Sequence, residues 1–365
     1  MHIAFAITEY FPFGGAQRDF IGVVKTMSER GHQISIISTA WRGEKPQEWQ
    51  YFLLDHQQKT NHGRMQVLST YLEDLKQTQS FDVVVGFTRM VGLDIYFAAD
   101  NSFVATRFKG LKRFLPRYNA YAQIEKSLFA NTELKTMFLT EAQKQSYSQQ
   151  YNLQENNTMV LPVCIDAEFQ FNEATYQQAR TWRKQQTRCE DKTVLLFVAA
   201  DFKTKGLDRV IDALALLPSA EQKQFSLWVV GDGKRAAYQK NLKRLPNIQA
   251  QFLGGQSEIT QYYLAADYLI HPARKEAAGM VIAEALAAKL PIVVTDICGY
   301  AHLAEDDKKS MIIDHRQIKT ALVSALKKIL EQTPIERGDG SEKILFRSRA
   351  EVCAKQIEKW CGVMP

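Results

Sequence analysis

His271-Pro272-Ala273-Arg274-Lys275-Glu276-Ala277-Ala278-Gly279-Met280-Val281-Ile282-Ala283-Glu284-Ala285-Leu286 is the stretch on which the reading of the fold turns. The run that leads into it, Tyr268–His271, is short and apolar, the size of a buried strand. From Met280 to Lys289 the chain is rich in alanine and strongly favours helix, and Pro291 stops it because proline can neither donate a hydrogen bond nor fit inside a helix. Ile292–Thr295 is again strand-like. Strand, helix, strand within this distance predicts a βαβ unit with parallel strands.

The alternation continues in both directions. Apolar runs rich in β-branched residues recur at Ile3–Ile7, Ile34–Ser38, Val83–Phe87 and Thr136–Leu139, then at Val194–Val198 and Leu227–Val230. They are continuously apolar, which predicts sheets covered on both faces and therefore an α/β fold with parallel strands. Two groups of runs predict two doubly wound, Rossmann-like domains. The break is expected near Leu161–Asp166, giving domains at 1–165 and 166–345. A last helix around Ser348–Trp360, after the turn-like Arg337-Gly338-Asp339-Gly340-Ser341, leaves 346–365 as a segment expected to pack back on the first domain. Such sheets bind ligands at the carboxyl ends of their strands, so two facing sheets are expected to form a cleft.

Composition bounds the function. A chain of 365 residues with 45% hydrophobic and 24% charged residues buries a real core, which excludes a mainly disordered protein. A net charge of +6 is too small for a surface that tracks nucleic acid throughout. The five cysteines, Cys164, Cys189, Cys298, Cys353 and Cys361, show no C-x-x-C pairing and fit a reducing compartment. Met1 to Ile7 lacks the basic flank and cleavage site of a signal peptide, and no run reaches the ~18 to 20 apolar residues of a membrane span. A cytoplasmic location is expected.

Within the opening stretch, Glu276 falls in the strand-to-helix loop and Glu284 about two turns into the helix. Eight residues at ~1.5 Å each span ~12 Å, comparable to the distance from hexose to ribose in an extended nucleotide sugar. Between the two carboxylates lie the amides of Ala278, Gly279 and Met280 at the helix start, which suit a pyrophosphate because unpaired N–H groups and the helix dipole favour an anion. Carboxylates only accept hydrogen bonds, so Glu276 is assigned to sugar hydroxyls and Glu284 to ribose hydroxyls. Two solvated glutamates on a surface helix would give the same spacing.

This E-x7-E pattern resembles the donor motif of retaining GT-B glycosyltransferases of family 4. The form Glu276-Ala277-Ala278-Gly279, followed by Cys298-Gly299-Tyr300-Ala301-His302, is similar to the glucosyltransferases that begin the outer core of bacterial lipopolysaccharide. Further matching runs are Tyr10-Phe11-Pro12-Phe13-Gly14-Gly15, Gln17-Arg18-Asp19-Phe20, Asn61-His62-Gly63-Arg64, Gly92-Leu93-Asp94 and Tyr96-Phe97-Ala98-Ala99-Asp100. The resemblance implies a GT-B fold and a retaining, metal-independent transfer of glucose from UDP-glucose to an inner-core heptose. It implies no cofactor beyond the donor, and a lipid-linked core oligosaccharide as acceptor. Another hexose or acceptor, or a sugar-nucleotide epimerase, would keep the fold. A two-lobed solute-binding protein is the rival from another class, and the lack of an export signal counts against it.

Other residues take their places around this core reading. Gly14 and Gly15 follow the first strand and can bring backbone amides close to phosphate; the resemblance implies contact with the donor pyrophosphate. The absence of G-x-G-x-x-G there argues against a nicotinamide or flavin enzyme. Lys205, in a loop before Gly206, matches the family's phosphate-binding lysine, but Thr204 stands where the family often has an arginine, which leaves the second cation open. The resemblance also implies a catalytic or acceptor-positioning role for Asp100. Asp19, His62 and Arg64 are acceptor candidates; a cap or an ion pair is the alternative for Asp100 and Asp19. No histidine or acid spacing marks a metal site.

Between Phe103 and Ala130 six basic residues, Arg107, Lys109, Lys112, Arg113, Arg117 and Lys126, stand against Glu125 alone. Aromatic residues, Phe114 among them, are interleaved. The segment is expected to dock on the anionic surface of the inner membrane, with Arg107, Lys109, Lys112, Arg113, Phe114 and Arg117 at the surface. A solvated face whose aromatics belong to the core is the alternative; no nucleic-acid-binding module surrounds it.

Overall fold

A computed structural model describes the chain except for Phe13, 106–114, Thr187, Arg188, Glu190, Arg244, 333–335 and 364–365. It forms two compact units, Met1–Pro162 together with Ser348–Pro365, and Val163–Arg347.

The first unit holds seven parallel strands, β1 (His2–Tyr10), β2 (Gln33–Trp41), β3 (Gln50–Leu53), β4 (Val83–Gly86), β5 (Ile95–Ala98), β6 (Lys135–Phe138) and β7 (Thr158–Val160), in the order β3-β2-β1-β4-β5-β6-β7. Every residue of β4 and β5 is buried, as a strand covered by helices on both faces must be. The chain order reverses between β1 and β4, and the loop after β1 leads through Gly14 into the helix Gly15–Glu29.

The C-terminal helix Arg349–Trp360 is capped by Ser348 and packs on Gly15–Glu29 within this unit. Gly22 gives the close approach, since a Cβ there would lie 3.4 Å from Ala350 Cβ. Arg30 bonds Glu351 and Glu358, His32 lies 3.0 Å from Glu358 Oε1, and Lys135 Nζ donates to the carbonyl of Trp360 at 2.7 Å.

The second unit repeats the plan with six parallel strands, β9 (Thr193–Val198), β10 (Phe225–Val230), β11 (Gln249–Gly254), β12 (Tyr268–His271), β13 (Ile292–Thr295) and β14 (Met311–Ile313), in the order β11-β10-β9-β12-β13-β14. A two-stranded pair, β8 (Cys164–Ile165) with β15 (Leu345–Phe346), lies at its ends in sequence. Its core joins Leu195, Phe197, Leu227, Val229 and Ile270 to Leu207, Val210 and Leu214 of the helix Leu207–Ala215. The chain order reverses between β9 and β12, which is where a doubly wound sheet opens a crevice at its carboxyl edge. The loops leaving β9 and β12 carry Lys205 and Glu276. The fold therefore brings them to one place although they are 71 positions apart.

Local details differ from the sequence expectations. Strands β3, β5, β7, β11 and β14 and the short β8 and β15 have no counterpart among the apolar runs of the sequence; β3, β7, β11 and β14 are sheet edges, where half-exposed residues weaken the apolar signal, whereas β5 is central and wholly buried but only four residues long. The expected loop at Lys205 is a short helix, Phe202–Lys205, nucleated by Asp201, whose carboxylate accepts from the amides of Lys203 and Thr204. The helix expected to reach Lys289 ends at Ala287, and Lys289 takes a left-handed backbone with φ 54°.

Candidate functional site

At the carboxyl edge between β9 and β12, two loops are braced against each other. Arg209 Nη1 donates to the carbonyls of Pro272 and Ala273, each at 3.0 Å. In return Arg274 donates to Lys203 O at 2.7 Å and grips Asp208 with two bonds of 2.7 and 2.8 Å, while its amide reaches Thr204 O. Gly206 makes the approach possible. Its φ is +88°, and a Cβ would stand 2.2 Å from Pro272 O, so no side chain fits.

Glu276 lies in the middle of this brace. Its Oε2 accepts from Lys205 Nζ at 2.7 Å and from His271 Nε2 at 3.0 Å, and among the described residues Oε1 takes no hydrogen bond. Burial pushes the Glu276 carboxyl up, but the His271 hydrogen bond and the Lys205 charge outweigh it and hold the pKa down to about 2. Glu276 is thus a carboxylate at neutral pH, an acceptor of hydroxyl groups.

The Cys298–His302 segment flanks it: Glu276 pairs with Cys298 as an isolated parallel bridge, and the amide of Tyr300 donates to Ala278 O at 2.8 Å. Burial pushes the Cys298 thiol up to about 12, so it stays protonated. Gly279 begins the helix Met280–Ala287 with φ +98° and no side-chain cap. A Cβ on Gly279 would crowd Glu276 Cγ at 3.1 Å, so the glycine both turns the chain and seats the glutamate.

Glu284 is not a solvated surface residue. It is 2% exposed, and its Oε2 accepts from Tyr263 Oη at 2.7 Å, which removes the surface-helix reading of the E-x7-E pair. The residues around Lys205 that could offer a second cation are engaged: Arg209 holds loop carbonyls and Lys203 joins Arg274 on Asp208, while the neutral Thr204 donates its hydroxyl to Asp201. Lys205 has Glu276 as its partner carboxylate. His271 is the residue that sequence reasoning missed here. The signal for it in the sequence is its position as the last residue of an apolar strand, at the carboxyl edge of the sheet.

The first unit gathers the other candidates. Gly14 caps its helix in an extended conformation, and Gly15 is open, since a Cβ there would meet nothing within 4 Å. Arg64 and Arg42 both pair with Glu9 at the end of β1. His62 lies in the first turn of Asn61–Thr78, 3.3 Å from Thr60 Oγ1. Asp19 pairs with Arg349 Nη1 at 3.4 Å, which is a structural contact to the C-terminal helix.

Asp100 is exposed, and its backbone carbonyl is held by Gln143 Nε2 and Tyr147 Oη, each at 3.0 Å. The segment that follows it is pinned from inside. Glu125 is wholly buried, ion-paired to Arg89 at 3.0 Å, and accepts from Ser102 Oγ and the amides of Phe103 and Val104.

This changes the reading of the basic segment. Of its membrane-surface candidates, Arg107, Lys109, Lys112, Arg113 and Phe114 lie outside the described residues. Arg117 is exposed and stands 5.8 Å over the Tyr121 ring. Tyr121 is buried and stacked on Phe103 at 4.3 Å, so these aromatics face the protein interior, not a bilayer. Among the described residues no helix is long and apolar enough to cross a membrane.

One group of possible metal ligands comes together among the described residues: Asp296, Asp314 and His315. They are already paired, His315 Nδ1 with Asp296 at 2.7 Å and Asp314 with Arg316, and they carry no further argument.

Comparisons with known proteins agree with this geometry. The sequence profile "Glycosyl transferases group 1" matches residues 178–343, the stretch that contains Lys205, Glu276 and Glu284. The lipopolysaccharide glucosyltransferase WaaG of Escherichia coli (strain K12) is 34% identical over 340 residues, covering 92% of this chain and 91% of that protein. The crystal structure of WaaG, a glycosyltransferase involved in lipopolysaccharide biosynthesis, superposes with a TM-score of 0.80 at 32% identity, covering 98% of this chain and 95% of that one. Anabaena Alr3699/HepE, solved in complex with UDP-glucose, shares the fold at a TM-score of 0.65 and 17% identity, covering 98% and 95% of the two chains. On this identity, sustained over nine-tenths of both sequences, and on the two doubly wound parallel sheets, the chain belongs to the WaaG-like GT-B glycosyltransferases.

Proposed function

We propose that the protein transfers glucose from UDP-glucose to a heptose of the lipopolysaccharide inner core, with retention of the anomeric configuration. The observation that carries this reading is the contact of Lys205 with Glu276 at the switch point of the second sheet. An ammonium suited to a phosphate and a carboxylate suited to hydroxyls stand side by side, beside the uncapped start of Met280–Ala287. The similarity to WaaG, named for glucose transfer to lipopolysaccharide, supports the choice of donor and acceptor.

In the unliganded chain Lys205 and Glu276 neutralise one another. On donor binding the two part: Lys205 turns to the β-phosphate and stabilises charge on the departing UDP, and Glu276 accepts hexose hydroxyls. The amides of Ala278, Gly279 and Met280 take the pyrophosphate, and Glu284 takes the ribose. The C1–O bond to UDP breaks while the acceptor oxygen bonds to C1 from the same face, and the acceptor proton passes to the leaving phosphate oxygen. Cys298 supplies no nucleophile for a covalent route, because its thiol is held protonated. A stable glycosyl-enzyme adduct detected by mass spectrometry would overturn the same-face mechanism.

Asp100, His62 and Arg64 are assigned to the acceptor side, whereas Asp19 is taken up by its ion pair with Arg349. With helix amides and Lys205 on the pyrophosphate, the transfer runs without a metal or other cofactor. We place the protein on the cytoplasmic face of the inner membrane, held peripherally by the basic part of the segment around 106–117.

A panel of UDP-sugars, each incubated with and without lipopolysaccharide truncated to its heptose core, tests the reading. Glucose transfer that needs the acceptor is expected. Conversion of the donor sugar with no acceptor present would instead make the protein an epimerase.

A further inference from the structure

His271 is an unusual residue to find where it is. It ends β12, a strand whose other members are Tyr268, Leu269 and Ile270, and it is 1% exposed with its ring 6.5 Å from that of Phe197. Its Nδ1 is buried and has no hydrogen-bond partner among the described residues. An apolar side chain would avoid that unmet polar atom, so packing does not account for the imidazole. What the imidazole supplies is the bond from Nε2 to Glu276 Oε2 at 3.0 Å.

The two groups that share Glu276 Oε2 differ in freedom. Lys205 is 24% exposed on a flexible four-carbon stem, whereas His271 is enclosed on a strand. When a phosphate takes the ammonium of Lys205, His271 still holds Oε2, the carboxylate keeps its rotamer, and Oε1 stays available.

We propose that His271 is a positioning residue for the donor hexose: it fixes the Glu276 carboxylate through Oε2 so that Oε1 accepts a sugar hydroxyl. The inference rests on the assignment of Glu276 to the hexose. The charged and titratable groups that face Glu276 are Lys205 from the helix Phe202–Lys205, His271 from β12 and Cys298 from the turn after β13.

The test compares His271→Gln, whose amide nitrogen can reach the Nε2 position, with His271→Asn, whose shorter amide cannot, and with His271→Leu. The expected result is a fall of roughly 10- to 100-fold in kcat/KM for UDP-glucose in the Asn and Leu variants, with the Gln variant within a few-fold of wild type. Affinity for UDP alone, measured by calorimetry, should change less than about twofold because UDP lacks the hexose. The acid limb of the kcat/KM profile should move upward in pH in the Asn and Leu variants, since the lost bond is the one that most lowers the Glu276 carboxyl.

Equal loss of UDP and UDP-glucose binding, or no difference between Gln and Asn, would overturn the proposal. Glu276→Gln separates the two layers. If it weakens use of UDP-glucose and His271→Asn does not, only the role of His271 fails. If Glu276→Gln is itself without effect, the assignment of Glu276 fails with it.

Discussion

Lys205 Nζ and Glu276 Oε2 lie 2.7 Å apart across two loops that leave β9 and β12, the strands at which the second sheet reverses its order. The pair is partly shielded, with the lysine 24% and the glutamate 13% exposed. It keeps a carboxylate and an ammonium ready at a position where each would otherwise be costly to bury. Replacing Lys205 by Met removes the cation but keeps the stem. We expect kcat to fall about 100-fold or more, because a donor aimed at developing negative charge is lost. Steady-state kinetics with UDP-glucose, beside a circular-dichroism melt to confirm folding, checks this.

Acid should expose the Glu276 contacts as stability. Its folded pKa of about 2 lies below the ordinary 4.5. The unfolded chain therefore binds the proton first, and the contribution of Glu276 is complete above about pH 4.5 and is lost as pH falls toward 2. Urea unfolding over this range should show a steeper acid loss in the wild type than in Glu276→Gln. Parallel curves would contradict the depressed pKa.

Gly206→Ala should disturb the site without touching a charge. The substitution puts a Cβ 2.2 Å from Pro272 O and demands a left-handed backbone of a residue that disfavours it. A loss of more than about 1 kcal/mol is expected from the backbone conformation alone. The two braced loops should also move apart. A lower Tm together with weaker UDP binding is the expected outcome; normal affinity for UDP would show that the brace is dispensable.

In the first unit, Glu125→Leu would leave Arg89 buried without its carboxylate. A cost of about 3–5 kcal/mol is expected, and Arg89→Met combined with Glu125→Leu should recover much of it. Urea unfolding of the single and double variants decides the matter. Because Glu125 also holds the amides of Phe103 and Val104 just after Asp100, the single variant should lose transferase activity as well.

Much of this was legible before folding, and the limits have physical causes. Continuous apolar runs located the central strands other than β5, because both faces of a parallel sheet are covered; β5, buried but only four residues long, escaped. The edge strands β3, β7, β11 and β14 escaped, since their half-exposed residues carry little apolar signal. Glu276 stood out through its distance from Glu284 and the glycine between them.

Other residues depended on long-range pairing. His271 read as the end of a strand, because nothing local shows that its ring would meet the carboxylate five residues later. Glu125 was counted as a surface charge opposing a basic patch, yet its partner Arg89 lies 36 positions away in another segment. The aromatics of this segment behave alike: Tyr121 is buried and the half-buried Phe103 stacks on it.

The most direct test of the account is a transfer assay with UDP-glucose and lipopolysaccharide ending in its heptose core, followed by mass spectrometry and NMR of the product. The account predicts one added hexose per acceptor, linked to heptose in the α configuration of the donor, with release of UDP. Addition of a different sugar from another UDP-hexose, with UDP-glucose left unused, would contradict it.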